Sequence, residues 1–306
     1  MTSPDTPLSS ENIALGIAQS SQKSASDQAE GPPRKPYISI RPRHGWVSLD
    51  LREIWRFREL LIAFASRDLK LRYKQTALGV IWVILQPLMA AGVFSFVFGS
   101  VAKLPSGGLP YFVFSYAGLL GWNLFSGILT RVSSCLVGNT NLISKIYFPR
   151  LILPLSNLGS VLIDFAVAAA MMALLLVVYR ISPSLTLLLF PLWMLLLTAA
   201  AVGLGLIAAA LAVPYRDVQF ILPVFTQILL YASPVAYSMD AVPERLRWVY
   251  ALNPLSPPLE AMRSSLLGTT FPATVALCTS VFLGILFLVV GLYSFKRMER
   301  TFADVI

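Results

Sequence analysis

Residues 67–88 read RDLKLRYKQTALGVIWVILQPL. Four cations, Arg67, Lys70, Arg72 and Lys74, lead directly into an apolar stretch that continues to Val101. Positive charge close to a span is retained in the cytoplasm, so this junction marks the first crossing and places its amino side inside. The rest of the chain follows the same physics. Only 13% of residues are charged and 56% are hydrophobic, whereas about 25% of a soluble domain is charged. Half of all Lys and Arg residues lie in the first quarter of the sequence. The net charge of +9 therefore reads as an orientation signal and contact with lipid headgroups, and not as nucleic-acid binding.

Upstream of the junction, residues 1–45 are rich in Ser, Pro, Gln and Lys without an apolar period. They lack the apolar core of a signal peptide and read as a disordered cytoplasmic tail. Residues 46–76 read as an amphipathic interface helix. Arg52, Arg56, Glu59, Ser66, Arg67, Lys70 and Lys74 share one face at 100° per residue, and Leu51, Ile54, Trp55, Leu61, Ile62, Ala65 and Leu69 the other. That is the pattern of a helix lying in the membrane surface. Ser66 is where a break into two helices would fall.

Downstream, six segments reach the roughly 20 apolar residues that a hydrocarbon core requires. They run over 77–101, 110–130, 151–179, 185–213, 218–237 and 271–295. The fold class is thus an all-α membrane protein with a transmembrane domain at 77–295 and a cytoplasmic C-terminus at 296–306. With the amino end inside, cytoplasmic regions carry 19 Lys and Arg residues and the outer loops carry 5: Lys103, Arg180, Arg245, Arg247 and Arg263. The opposite orientation inverts that ratio, so both termini are expected in the cytoplasm.

Residues 238–270 are too polar to span yet rich in large apolar side chains. Pro243 suits the first turn of one short helix. Ser256 suits the cap of a second, which begins at Pro257–Pro258 and stops at Gly268. Joined through Asn253–Pro254, the two form a membrane-dipping hairpin over 243–267, whose non-helical backbone requires shielding by protein or a wet cavity. The alternative is an external loop resting on the interface.

The chain carries little that points to bond-making chemistry. It has no Gly-Lys dipeptide, hence no phosphate-binding loop, and no HExxH, CxxC or Gly-x-Ser-x-Gly. His44, in the tail, reads as solvated, and Cys135 and Cys278 lack the spacing of a disulfide or metal framework. Asp164 is the one acid well inside a span, and burying it costs about 2.5–3.5 kcal/mol on insertion scales. With no ionisable neighbour in sequence, a structural bond to another helix is favoured over a proton relay. Ala199, Ala200, Gly203, Gly205, Ala208 and Ala209 form a small-residue face for close helix packing. Phe94, Phe98, Tyr111, Phe112, Tyr116, Trp122 and Phe125 suit lipid-facing aromatics or the lining of a sugar pathway.

Four passages, RDLKLRYKQTALGVIWVILQPL (67–88), ISKIYFPRLILPLSNL (143–158), PYRDVQFILP (214–223) and NPLSPPLEAMRSSLLG (253–268), together carry a family resemblance. The sequence resembles the permease subunits of polysaccharide-exporting ABC transporters, the O-antigen, capsule and teichoic-acid group. The resemblance implies a half-transporter in the bacterial cytoplasmic membrane that pairs with a second copy of itself. It implies a separate ATPase subunit, which holds the ATP and magnesium, and no cofactor or metal on this chain. It also implies a coupling helix at 139–149 seated in the ATPase, with Lys145, Tyr147, Phe148 and Pro149 as contacts. The 243–267 hairpin would supply outer gate helices, with Trp248, Tyr250, Leu259 and Glu260 lining the channel or gate. Glu260, near the start of the second half-helix, also suits a simple cap for its positive end. The substrate would be a glycan on a polyprenyl-pyrophosphate or related lipid, its anionic head drawn to Arg67, Lys70, Arg72 and Lys74 at about 1 kcal/mol per cation.

Three other functions are measured against this one. A drug- or lipid-exporting ABC permease differs mainly in substrate. A polytopic membrane transferase acting on polyprenyl-linked sugars calls for clustered acids or histidines at a membrane face. A secondary transporter calls for inverted repeats and intramembrane ionisable pairs.

Overall fold

A computed structural model describes residues 51–74, 81–182, 184–299 and 302. The chain divides into two units, 1–46 and 47–306, and all described residues belong to the second. The expectations for the 1–45 tail, for His44 and for 75–80 lie outside the described residues. Every regular element among the described residues is a helix.

The segment expected as an interface helix forms two helices, α1 (Leu51–Arg56) and α2 (Arg58–Lys74). The break falls at Phe57, and Ser66 lies within an unbroken helix, its hydroxyl donating to the Ala63 carbonyl at 2.9 Å. α2 lies along the bundle, with Ala65 close to Gly159. Phe64 is buried, whereas Trp55 and Ile62 of the expected apolar face are exposed.

Among the described residues, five helical segments are long and apolar enough to cross a membrane: Ile81–Val101, Tyr111–Ser134, Ile152–Val178, Leu185–Ala212 and Thr274–Met298. The first comprises α3 (Ile81–Phe94), which contains Pro87, and a wider π-helical turn over Ser95–Val101. The others are α4 (Tyr111–Ser134), α6 (Ile152–Val178), α7 (Phe190–Ala212, entered through a tight turn at Leu185–Leu189) and α11 (Thr274–Met298). A short helix, α5 (Thr140–Lys145), lies between α4 and α6. The fifth expected span, 218–237, is shorter than its sequence suggests. α8 (Val218–Ala232) has 15 residues, about 22 Å of helix against a core of about 30 Å. Ser233 is extended (φ −117°, ψ 148°) because Pro234 disfavours the helical region for the residue before it.

α4 is the centre of the bundle and is buried along most of its length between α6, α7 and α10 (Ser256–Leu267). The small-residue face on α7 does what its composition suggests. A Cβ on Gly203 would come 2.3 Å from the Phe287 carbonyl carbon, and one on Gly291 would come 2.3 Å from the Gly203 oxygen. α7 and α11 thus pack backbone to backbone, which hydrogen at these positions alone permits. The aromatic residues Tyr116, Trp122 and Phe125 face neither lipid nor a channel. They are buried inside the chain, and the Tyr116 hydroxyl donates to the Ala168 carbonyl at 3.0 Å.

Candidate functional site

The helices alternate in direction, so the α4–α6 connection and the end of α11 meet at one end of the bundle. The 102–110 loop and the hairpin meet at the other.

At the first end, the α4–α6 connection is anchored from below and exposed at its tip. Phe148 is buried and meets Phe64 of α2 edge-on, with ring centroids 5.8 Å apart. Pro149 is buried beside it. Lys145, Ile146 and Tyr147 are exposed. Of the four expected contact residues, Lys145 and Tyr147 therefore stand on the surface, while Phe148 and Pro149 form the base on which the tip rests. Ile146 joins the exposed set. Sequence reading passed over it, although an isoleucine between Lys145 and Tyr147 in a short loop is itself a signal of a surface that something covers.

The four cations of the opening stretch divide. Arg67 packs over the Phe64 ring at 5.2 Å, pairs with Asp68 at 2.9 Å and donates to Asn139 Oδ1 at 3.1 Å. It thus ties α2 to the start of the loop as well as carrying charge. Asn139 in turn donates to the Cys135 carbonyl at 2.9 Å. Burial pushes the Cys135 thiol pKa up, so this cysteine stays a neutral packing group. Lys70 is exposed. Arg72 and Lys74 end α2, and their side chains lie outside the described residues. The Tyr215–Arg216–Asp217 turn, at the same end, is exposed.

Between the ends, Asp164 of α6 has a partner that sequence order hides. Arg131 of α4 donates to its Oδ2 at 2.8 Å and to Ser160 Oγ at 2.6 Å. The Arg131 carbonyl accepts from Asn157 at 3.2 Å. The span expected over 110–130 stops one residue short of Arg131, which instead lies inside α4, one turn from its end.

At the hairpin end, the two half-helices exist but differ sharply. α9 (Glu244–Leu252) is largely exposed, with Trp248 64% exposed. α10 is driven into the bundle. Leu259, 2% exposed, lies over Gly121 of α4, and Trp193 Nε1 of α7 donates to Ser265 Oγ at 3.1 Å. Gly268 closes α10 in the left-handed region (φ +69°) as expected. The start is corrected: Ser256 is the first helical residue, Leu255 precedes it as the cap position, and the Leu255 N–H donates to Asn253 Oδ1 at 3.0 Å.

Arg263 was counted among the outer-loop cations but is 2% exposed. Its guanidinium lies 4.1 Å over the Phe114 ring, donates to the Pro234 carbonyl at 3.0 Å and to the Tyr237 carbonyl at 3.2 Å, and pairs with Glu260 at 3.7 Å. Glu260 also accepts the Met239 N–H at 3.4 Å. The acid thus bonds laterally across one turn and to the incoming chain. The Glu260/Arg263 spacing of three residues was the readable signal. The pair borders a cavity of about 500 Å³ under the 102–110 loop. Tyr250 and Tyr237 meet hydroxyl to hydroxyl at 2.9 Å, and this joins α9 to the end of the α8 connection.

Among the described residues, no three His, Cys, Asp or Glu side chains gather as metal ligands. The geometry is that of a helical bundle with helices long and apolar enough to cross a membrane, an exposed, anchored loop tip at one end and, at the other, a hairpin of which one half enters the bundle. A family model described as ABC-2 type transporter matches residues 59–267, from α2 through the hairpin. The chain belongs to the ABC-2 type transporter family. It is similar to the O-antigen export system permease protein RfbA of Klebsiella pneumoniae, 28% identical over 81% of this chain and 95% of that protein. It is 30% identical to the RfbA protein of Myxococcus xanthus over 67% of this chain and 79% of that one. The polysialic acid transport protein KpsM of Escherichia coli is 24% identical over 78% of this chain and 93% of its own length.

Proposed function

We propose that this chain is the permease subunit of an ATP-driven exporter that moves a lipid-linked polysaccharide across the bacterial cytoplasmic membrane, working as a pair with a separate ATPase. The observation that carries the reading is the similarity to O-antigen export permeases across 81% of the chain. The family match, in addition, runs through both the 135–151 connection and the hairpin.

The geometry supports a division of roles. Lys145, Ile146 and Tyr147 present one cation, one apolar side chain and one aromatic on an anchored loop, which suits a cleft in the ATPase. Lys70 and its neighbours at the end of α2 suit the pyrophosphate head of the substrate. α8 has no buried residue, and α3 has few; their apolar faces suit a second copy of the chain. α9 suits a gate at the outer mouth, with Tyr250 as its latch.

Export is tested in the native bacterium. Loss of the chain should remove a polysaccharide from the cell surface while its lipid-linked form accumulates inside. Unaltered surface polysaccharide, with loss of drug resistance or lipid export instead, would favour the related exporters.

A further inference from the structure

The docking tip is followed by Arg150, and Arg150 is held by the last helix. Its guanidinium donates to the Glu299 carbonyl, and its own backbone N–H donates to Glu299 Oε1 at 3.2 Å. The second carboxylate oxygen of Glu299 pairs with Lys296 at 2.9 Å. Both oxygens of one acid are therefore committed, one to the loop and one to α11. The guanidinium also lies 5.7 Å over the ring of Phe302. Phe302 in turn meets Phe295 of α11 edge-on at 5.5 Å, and both rings are fully buried.

We infer that the Arg150–Glu299 clasp is a coupling device, in which Arg150 and Glu299 act as positioning residues that carry motion of the docking tip into α11. The inference rests on the reading of 145–147 as the ATPase contact. Two residues, Phe148 and Pro149, separate Tyr147 from Arg150. Between them, Phe148 is fixed to α2 through Phe64. A tip pinned on both flanks cannot flex alone, so a push on it displaces α2 and α11 together. α11 is locked to α7 at Gly203 and Gly291, backbone against backbone, so the displacement passes into the bundle. Half-burial of Lys296 and Glu299 keeps their pair from being screened as a surface pair would be. Proximity alone does not demonstrate coupling; a variant that cuts the link while leaving both ends in place does.

The test uses the full chain with its ATPase subunit in lipid nanodiscs, followed by backbone hydrogen exchange with and without a slowly hydrolysed ATP analogue. In the wild type, the analogue should change exchange both at 145–147 and at the 290–299 end of α11. In Arg150→Ala combined with Glu299→Ala, which removes the guanidinium bond to the 299 carbonyl and the carboxylate bond to the 150 N–H together, the change at 145–147 should persist, and the change at 290–299 should fall at least fivefold. Glu299→Gln, which keeps the shape and an acceptor, should give an intermediate loss and serves if the alanine variant folds poorly. An α11 response of wild-type size in both variants would overturn the clasp alone. No analogue-dependent change at 145–147 in the wild type would overturn the docking reading and the clasp with it.

Discussion

Arg131 and Asp164 face each other at 2.8 Å across α4 and α6, and their energetics are asymmetric. Breaking a buried pair by deleting one member strands the other charge and costs about 3–5 kcal/mol, whereas replacing both with apolar groups is often neutral. This pair is half-buried, so Asp164→Ala should destabilise the detergent-solubilised chain by less than that, roughly 1–3 kcal/mol, and Arg131→Met with Asp164→Leu should recover most of it. If the double variant is as unstable as the single, the pair does more than balance charge. Cys135 gives a second check at this scale. Its raised pKa keeps the thiol protonated through neutral pH, and deprotonation, which burial disfavours, would become costly only in alkali. A maleimide should leave Cys135 unmodified at pH 7 to 8.5 in the folded chain and label it after denaturation. Asp164 was legible in sequence as an acid needing a bond. Its partner was not, because Arg131 lies 33 positions away and reads as a loop cation until helix packing brings the two together.

Elements divide along the same line between local and non-local causes. The hairpin's punctuation, Pro243, Asn253–Pro254 and Gly268, is local backbone chemistry and was readable from the residues. The insertion of α10 into the bundle depends on Gly121, Trp193 and Phe114 of other helices, which no window around α10 contains. The break after α8 was written in Ser233–Pro234 but was outweighed by an apolar run continuing to Tyr237. These differences predict opposite responses in the two half-helices. Leu259→Ala removes a buried side chain over Gly121 and should cost about 2–5 kcal/mol. Trp248→Ala, at an exposed site, should change stability by less than about 0.5 kcal/mol. Equal effects in thermal unfolding would mean that α9 is as firmly seated as α10. Leu259 is thus a packing residue first, and a gate motion, if α9 makes one, should answer to Tyr250. Tyr250→Phe removes the hydroxyl contact to Tyr237 and should raise leakage of a small dye from vesicles while stability stays within about 1 kcal/mol. An unchanged barrier would count against α9 as a gate.

Among the described residues, the five long apolar helices, with a tight seam between α7 and α11, make a bundle whose centre is buried and whose α3 and α8 faces are largely uncovered. If a second copy covers α8, cysteines placed at Val224, 61% exposed, should cross-link chain to chain in membranes, and labelling by lipid probes alone would leave the face to lipid. The family was legible because its signature passages sit where chain direction changes, at the start of α3, the α4–α6 connection, the α7–α8 turn and the hairpin. The substrate rests on that likeness, so it is the claim most in need of a direct readout. The decisive measurement reconstitutes the chain with its ATPase subunit into inside-out vesicles, supplies a lipid-linked glycan and ATP outside, and follows glycan protected in the lumen. ATP-dependent accumulation that vanishes without the ATPase, and no ATP hydrolysis by the chain alone, is the predicted result. Hydrolysis without the partner, or ATP-driven movement of lipid or drug with the glycan left outside, would contradict it.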